Sequence, residues 1–136
     1  MIAEPTFHST KNRCTKLLIS RGYAPVQPVT ASFLSRSVPL HLIGMRGDYE
    51  ALCVKIKLAT STTSGRTGIN DKTGATGEKY VEAQCRHECS QLRSLAMKYN
   101  GAIFLRCEVW IAEPDGRIHC YDVLMSEIRE VAAYGR

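Results

Sequence analysis

The fold of this chain is decided by residues 39–59, which read PLHLIGMRGDYEALCVKIKLA. Two apolar runs, Val38–Met45 and Ala51–Ala59, predict two strands, and a tight turn is predicted between them at Arg46–Tyr49, where a glycine permits the required backbone. The stretch is therefore interpreted as a β-hairpin.

Two lysines lie on the second strand of this hairpin. Because side chains alternate along a strand, Lys55 and Lys57 are expected on one side of the sheet. The opposite side is predicted for the apolar residues between and beside them, Leu52, Val54, Ile56 and Leu58. Two ammonium groups on one half-buried face repel each other, which disfavours a core role and favours an anionic ligand.

The rest of the chain supplies two helices and three more strands. The predicted helices run from the Ser9-Thr10 cap to Arg21 and over Lys79–Tyr99, and the strands cover Tyr23–Val26, Ala102–Ala112 and Arg117–Val123. Met125–Tyr134 predicts a short terminal helix, and residues 60–78, rich in Ser, Thr and Gly, predict a long flexible loop. This order predicts one domain over residues 1–136, an α/β protein with a central mixed five-stranded sheet in a three-layer α/β/α sandwich.

Charge and hydropathy limit the possible function classes. The 136 residues carry a formal net charge of +5 with 44% hydrophobic residues, and the sequence pI is about 9.0. This basic excess favours anionic partners such as nucleic acid. No apolar run approaches the roughly 18 residues of a membrane helix, and the N-terminus lacks the pattern of a signal peptide. A cytoplasmic protein without a membrane partner is expected.

Six cysteines raise the question of a metal. They are Cys14, Cys53, Cys85, Cys89, Cys107 and Cys120. Cys85 and Cys89 share a helix face, and a zinc site would also need Cys107, His119 or Cys120. The spacing matches no standard zinc pattern, so reduced and mostly buried thiols are expected and no metal is predicted.

Several short motifs in this order resemble the PD-(D/E)XK nucleases of the restriction-endonuclease-like superfamily, and among them the archaeal Holliday junction resolvase-like proteins. The motifs are an opening helix ending in RGY, the strand entry SRSVPLHLIG, the strand LCVKIKLA, a long helix, and the hairpin EVWIAEPDGRIHCYDV. The resemblance covers most of the chain and implies the three-layer fold, a nucleic-acid substrate and a homodimer.

The resemblance also implies where a magnesium site would lie. The family's first acidic position falls on His41, its second on Lys55, and its lysine on Lys57. A further family glutamate would fall near residues 11–13, where the chain has no acid. Because Mg²⁺ takes hard oxygen ligands and an ammonium group repels it, the family's metal site is expected to be lost and the active site to be degenerate.

Three functions remain open on this sequence. The favoured one is a catalytically inactive nuclease-like protein that binds DNA through a basic face. The predicted contact residues are Lys11, Arg13, Arg46, Lys55, Lys57, Arg66 and Lys72. The alternatives are an active endonuclease with a displaced or metal-free centre, in which His41 acts as a base, and a non-catalytic homodimeric scaffold.

Overall fold

The computed structural model describes residues 7–26, 40–47, 50–59, 78–98, 104–113 and 116–131. In chain order the elements are α1 (Phe7–Ser20), β1 (Ala24–Pro25), β2 (Leu42–Arg46), β3 (Glu50–Leu58), α2 (Glu78–Gln84), α3 (Arg86–Lys98), β4 (Phe104–Ala112), β5 (Ile118–Val123) and β6 (Ile128–Val131). The protein is α/β, and the predicted hairpin is present as β2 and β3. The predicted loop lies outside the described residues except for its last member, Glu78, which begins α2.

One mixed sheet holds all six described strands in the order β1-β2-β3-β4-β5-β6. Neighbours are antiparallel except for β3 and β4, which are parallel and in register from Glu50 opposite Phe104 to Leu58 opposite Ala112. A parallel pair needs a long crossover connection, and α2 and α3 lie within it. The prediction of a mixed sheet is confirmed, whereas the predicted number of five strands is wrong.

The sixth strand lies within the segment Met125–Tyr134, for which a helix is predicted; the prediction is wrong up to Val131, and residues 132–134 lie outside the described residues. Leu124 N donates to Glu127 O at 2.9 Å, which closes a turn, and Ile128 then pairs with Val123. The free edge of β5 offers this segment a ladder of backbone hydrogen bonds and burial for Ile128. Such tertiary pairing outweighs a weak local preference for helix.

The long helix predicted over Lys79–Tyr99 is divided at Cys85 into α2 and α3. Backbone hydrogen bonds continue through this point, because Cys85 N donates to Val81 O at 2.8 Å and Cys89 N donates to Cys85 O at 2.9 Å. The division is therefore a bend, and Cys85 itself is fully buried against the sheet.

Apolar side chains form two clusters that use alternate residues of the strands. The cluster beside α1 contains Cys14, Leu17, Leu18, Leu52, Val54, Ile56, Trp110 and Cys120, among others. The cluster beside α2 and α3 contains Cys53, Val81, Cys85, Cys89, Leu92, Leu95, Cys107, Val109 and Tyr121, among others. All six cysteines are free and buried, as expected. Burial raises the pKa of the Cys14 thiol to about 12 and that of Cys89 to about 11, so both stay protonated.

Close packing at Gly44 of β2 gives a test of the α1 side of the fold. A Cβ atom at this position would stand 2.9 Å from Tyr23 Cβ and 3.0 Å from Leu18 Cδ1. Gly44→Ala is therefore expected to lower the free energy of unfolding by about 1–3 kcal/mol in a urea titration.

Gly47 provides the matched control for this measurement. Its φ is +68° and no atom lies within 4 Å of the added Cβ. Gly47→Asn should change stability little, because asparagine tolerates the left-handed conformation. Equal losses in the two variants would contradict the packing argument.

Candidate functional site

His41 lies directly before β2 and is held against β3 by two hydrogen bonds. Its backbone N donates to Val54 O at 3.0 Å, and its ring Nδ1 accepts from Ile56 N at 2.6 Å. An accepting Nδ1 carries no proton, so the proton of the neutral imidazole is on Nε2. The imidazole ring thus acts as the hydrogen-bond acceptor for β3 just before β2 begins.

Both lysines of β3 contact α3. Lys55 is only 7% exposed, and its Nζ donates to Gln91 Oε1 at 2.6 Å. Lys57 Nζ is 3.6 Å from Glu88 Oε2. The prediction that Lys55 and Lys57 share one side of the sheet is confirmed. Their two partners, Gln91 and Glu88, lie about one helical turn from each other on α3.

Electrostatic effects connect these residues with α1. Burial lowers the pKa of His41, and Lys55 and Lys11 lower it further, while Glu88 acts in the opposite direction. Burial also lowers the pKa of Lys55, again opposed by Glu88. Lys11, His41, Lys55, Lys57 and Glu88 are here called the lysine cluster: Lys55 and Lys57 act on or contact Glu88 of α3, and Lys11 acts on His41 from α1.

The other predicted contact residues lie elsewhere. Arg46 is at the far end of β2, about 16 Å along the strand from His41, where its guanidinium binds Glu50 at 2.7 and 3.1 Å and stacks 4.7 Å from the Tyr23 ring. The Arg13 guanidinium lies against Gly116 in the β4–β5 turn. Arg66 and Lys72 are outside the described residues. Of this set, the structure places Lys55 and Lys57 together against α3, and Lys11 of α1 within electrostatic range of His41.

A second charged group lies on the α1 side of the sheet and was not predicted. Glu108 of β4 is fully buried, and its two oxygens accept from the Arg21 guanidinium at 2.6 and 2.9 Å. Trp110 Nε1 donates to the same carboxylate at 2.8 Å. Arg106 bridges Glu108 at 3.5 Å and Asp122 at 3.2 Å.

This charged group connects the end of α1 to the sheet. The hydrogen bond with Glu108 raises the pKa of Arg21, although burial opposes it. Burial raises the pKa of Asp122, and Arg106 opposes that effect. Lys55 and Lys57 lie on the other side of the sheet, where they contact α3. The only sequence signal was a glutamate two residues before a tryptophan in an otherwise apolar strand.

A metal centre is not assembled by the described residues. Within the ranges 7–26, 40–47, 50–59, 78–98, 104–113 and 116–131, no three His, Cys, Asp or Glu side chains are grouped so that they could hold an ion. His119 instead lies 3.1 Å from the buried carboxylate of Glu113 through its Nε2. Among the same residues, no helix is long and apolar enough to cross a membrane.

Comparison of the chain with known proteins gives no match, whether with family models, with curated proteins or with solved structures.

The lowered pKa of His41 predicts a pH-dependent stability. In the unfolded chain this histidine titrates near pH 6.5, whereas in the folded chain it stays neutral to lower pH. Between the lowered pKa of the folded chain and pH 6.5, the unfolded state therefore binds more protons than the folded state. The free energy of unfolding should be unaffected by His41 well above pH 6.5 and should fall as the pH decreases through 6.5. The slope is at most about 1.4 kcal/mol per pH unit. His41→Asn keeps an acceptor for Ile56 N, so urea titrations from pH 5 to 8 should show a smaller decrease in this variant.

Removal of the Glu108 charge should destabilise the fold strongly. Glu108→Gln leaves Arg21 buried without its counter-charge, and the expected loss is about 3–5 kcal/mol in the free energy of unfolding. The double variant Arg21→Met/Glu108→Leu should recover much of that loss. Glu127→Gln, which breaks an exposed pair with Arg129, is the control and should cost less than about 1 kcal/mol. If Glu108→Gln lowers the free energy of unfolding no more than the control does, the buried pair does not stabilise the fold as argued.

Proposed function

We propose that this protein is a catalytically inactive relative of the PD-(D/E)XK nucleases that binds nucleic acid, DNA in the first instance, at the lysine cluster. Three features support the proposal. The β2–β3 hairpin leads through a helical crossover to a parallel β4. Apolar clusters beside α1 and beside α2–α3 suit a three-layer sandwich. The positions His41, Lys55 and Lys57, which the resemblance assigns to the active site, are neighbours in space.

The observation that carries the proposal is the excess of positive charge in the lysine cluster. The cluster contains three lysines and one carboxylate, Glu88, which lies beside Lys57, so its members carry a net charge of +2 when all three lysines are protonated. Phosphate groups neutralise such charges and release condensed counterions, which favours binding without regard to base sequence. Lys57 is the most accessible member on β3, with a side chain 36% exposed.

Metal-assisted cleavage does not fit these side chains. Mg²⁺ needs several hard oxygen ligands, and the cluster provides one carboxylate, which lies near the ammonium groups of Lys55 and Lys57. Two unit charges 4 Å apart interact by about 4 kcal/mol at an effective dielectric of 20, so each lysine would repel the ion. The proposal therefore includes no cofactor. The homodimer that the resemblance implies and the cytoplasmic location expected from the sequence are part of the same proposal.

The direct test measures DNA affinity against salt. Fluorescence anisotropy with labelled duplex, single-stranded and four-way-junction DNA should show binding that weakens as salt rises. Lys11→Gln and Lys57→Gln should each reduce the slope of log K against log salt by up to about 0.9 on duplex DNA, the value for one phosphate contact. Glu88→Gln should tighten binding, because it removes the carboxylate that competes with phosphate.

Lys16→Gln is the control for this experiment. Lys16 is an exposed residue of α1, the helix that also carries Lys11, and it has the same charge. The proposal fails if no DNA binds at low salt, or if Lys16→Gln weakens binding as much as Lys57→Gln does. A nicking or cleavage product with Mg²⁺ or Mn²⁺ would instead favour an active nuclease.

The pairing of both β3 lysines with α3 favours a second candidate, a non-catalytic scaffold. In that role Lys55 with Gln91 and Lys57 with Glu88 serve to hold α3 on the sheet. Lys55→Met and Lys57→Met should then change thermal stability and leave DNA affinity unaltered. Sedimentation of the wild-type chain as a dimer, together with that result, would support the scaffold.

A further inference from the structure

A groove separates the α2–α3 bend from the turn that joins β5 to β6. Its volume is about 320 Å³, and its lining consists of Glu82, Arg86, Cys89, Arg93, Met125, Ser126 and Ile128. The helical members recur at intervals of three or four residues, so they form one stripe along α2 and α3. This stripe is separate from Glu88 and Gln91, which contact the lysines of β3.

Two guanidinium groups belong to this groove. Arg86 and Arg93 are seven residues apart on α3, about two turns or 10 Å along the axis. Arg93 Nε donates to Leu124 O at 2.7 Å, which anchors this side chain to the β5–β6 turn. Among the described residues Arg86 forms no ion pair, and neither does Glu82 one turn before it.

The lining between the two arginines is uncharged. Cys89 is 2% exposed, and burial raises its pKa to about 11, so the thiol is neutral. Met125 and Ile128 contribute apolar surface from the other side, and Ser126 adds one hydroxyl. The middle of the groove is therefore uncharged, and a few polar groups at defined points can orient a small ligand there.

We propose that this groove binds a small organic dianion, a short unbranched chain with a carboxylate or phosphate group at each end. Arg86 receives one anionic end and Arg93 the other, since a guanidinium matches either oxyanion with two parallel hydrogen bonds. The aliphatic middle of the ligand lies against Met125, the exposed apolar side chain of the lining. Glu82 opposes an anion and so sets an upper limit on the affinity.

The test is a titration of the ¹⁵N-labelled protein with unbranched dicarboxylates of increasing length, followed by NMR. Saturable shifts are expected at the amides of Arg86, Cys89, Arg93, Met125 and Ser126, with the tightest binding at an intermediate chain length. The corresponding diamides should not bind, and inorganic phosphate should bind more weakly than the best dicarboxylate because it can engage only one end. Omega-phosphorylated carboxylates of the same length distinguish a phosphate ligand from a dicarboxylate.

Two variants and a control make the result decisive. Arg86→Gln should weaken binding by about tenfold or more, the usual effect of losing a hydrogen bond to a charged group. Glu82→Gln should tighten binding by about threefold or more, because one like charge is removed from the groove. A general loss of structure does not produce a gain in affinity, so this variant tests the site independently of folding. Lys16→Gln on α1 should have no effect.

Absence of saturable shifts at these amides would overturn the proposal, as would equal binding of the diamides or weaker binding by Glu82→Gln. The lysine cluster does not enter these outcomes, because Lys57→Gln should leave the dicarboxylate titration unchanged.

Discussion

The structure depends on one buried ion pair. Glu108 lies in the middle of β4, a strand with neighbours on both sides, where an unpaired carboxylate would cost several kcal/mol. The bidentate contact with Arg21 compensates this charge, and Trp110 Nε1 and Arg106 add further contacts to the same carboxylate. Arg21 immediately follows α1, so the end of that helix must lie over β4. This requirement positions α1 on the sheet and, with it, Lys11 within electrostatic range of His41.

On the other side of the sheet a buried positive charge must likewise find a polar partner. Lys55 is buried on β3 and is satisfied by Gln91, while Glu88 pairs with Lys57. Each side therefore holds its helix with a polar contact inside an apolar cluster. For function, this means that the lysine cluster is already partly neutralised. An anion that binds there competes with Glu88, and modest affinity with strong salt dependence is the physical consequence.

Features that depend on local interactions were predicted from the sequence, and features that depend on contacts between distant residues were not. The β2–β3 hairpin and the shared side of Lys55 and Lys57 depend on strand alternation, which is local, and both were predicted correctly. The bend at Cys85 and the strand β6 were missed, because each results from contact with the sheet and not from local preference. The groove at Arg86 and Arg93 was missed for the same reason, since its second wall belongs to the β5–β6 turn.

The sequence by itself determined which residues of a strand lie on the same side of the sheet and where charge accumulates on β3. It also indicated that the thiols would be buried. It also determined that no acid stands at His41, Lys55 or residues 11–13. Only the tertiary structure decided the partners: Gln91 for Lys55, Glu88 for Lys57 and Arg21 for Glu108. The physical reason is that alternation comes from the geometry of a single strand, whereas a buried charge is satisfied by whichever helix packs across it, and that packing joins residues up to 87 positions apart.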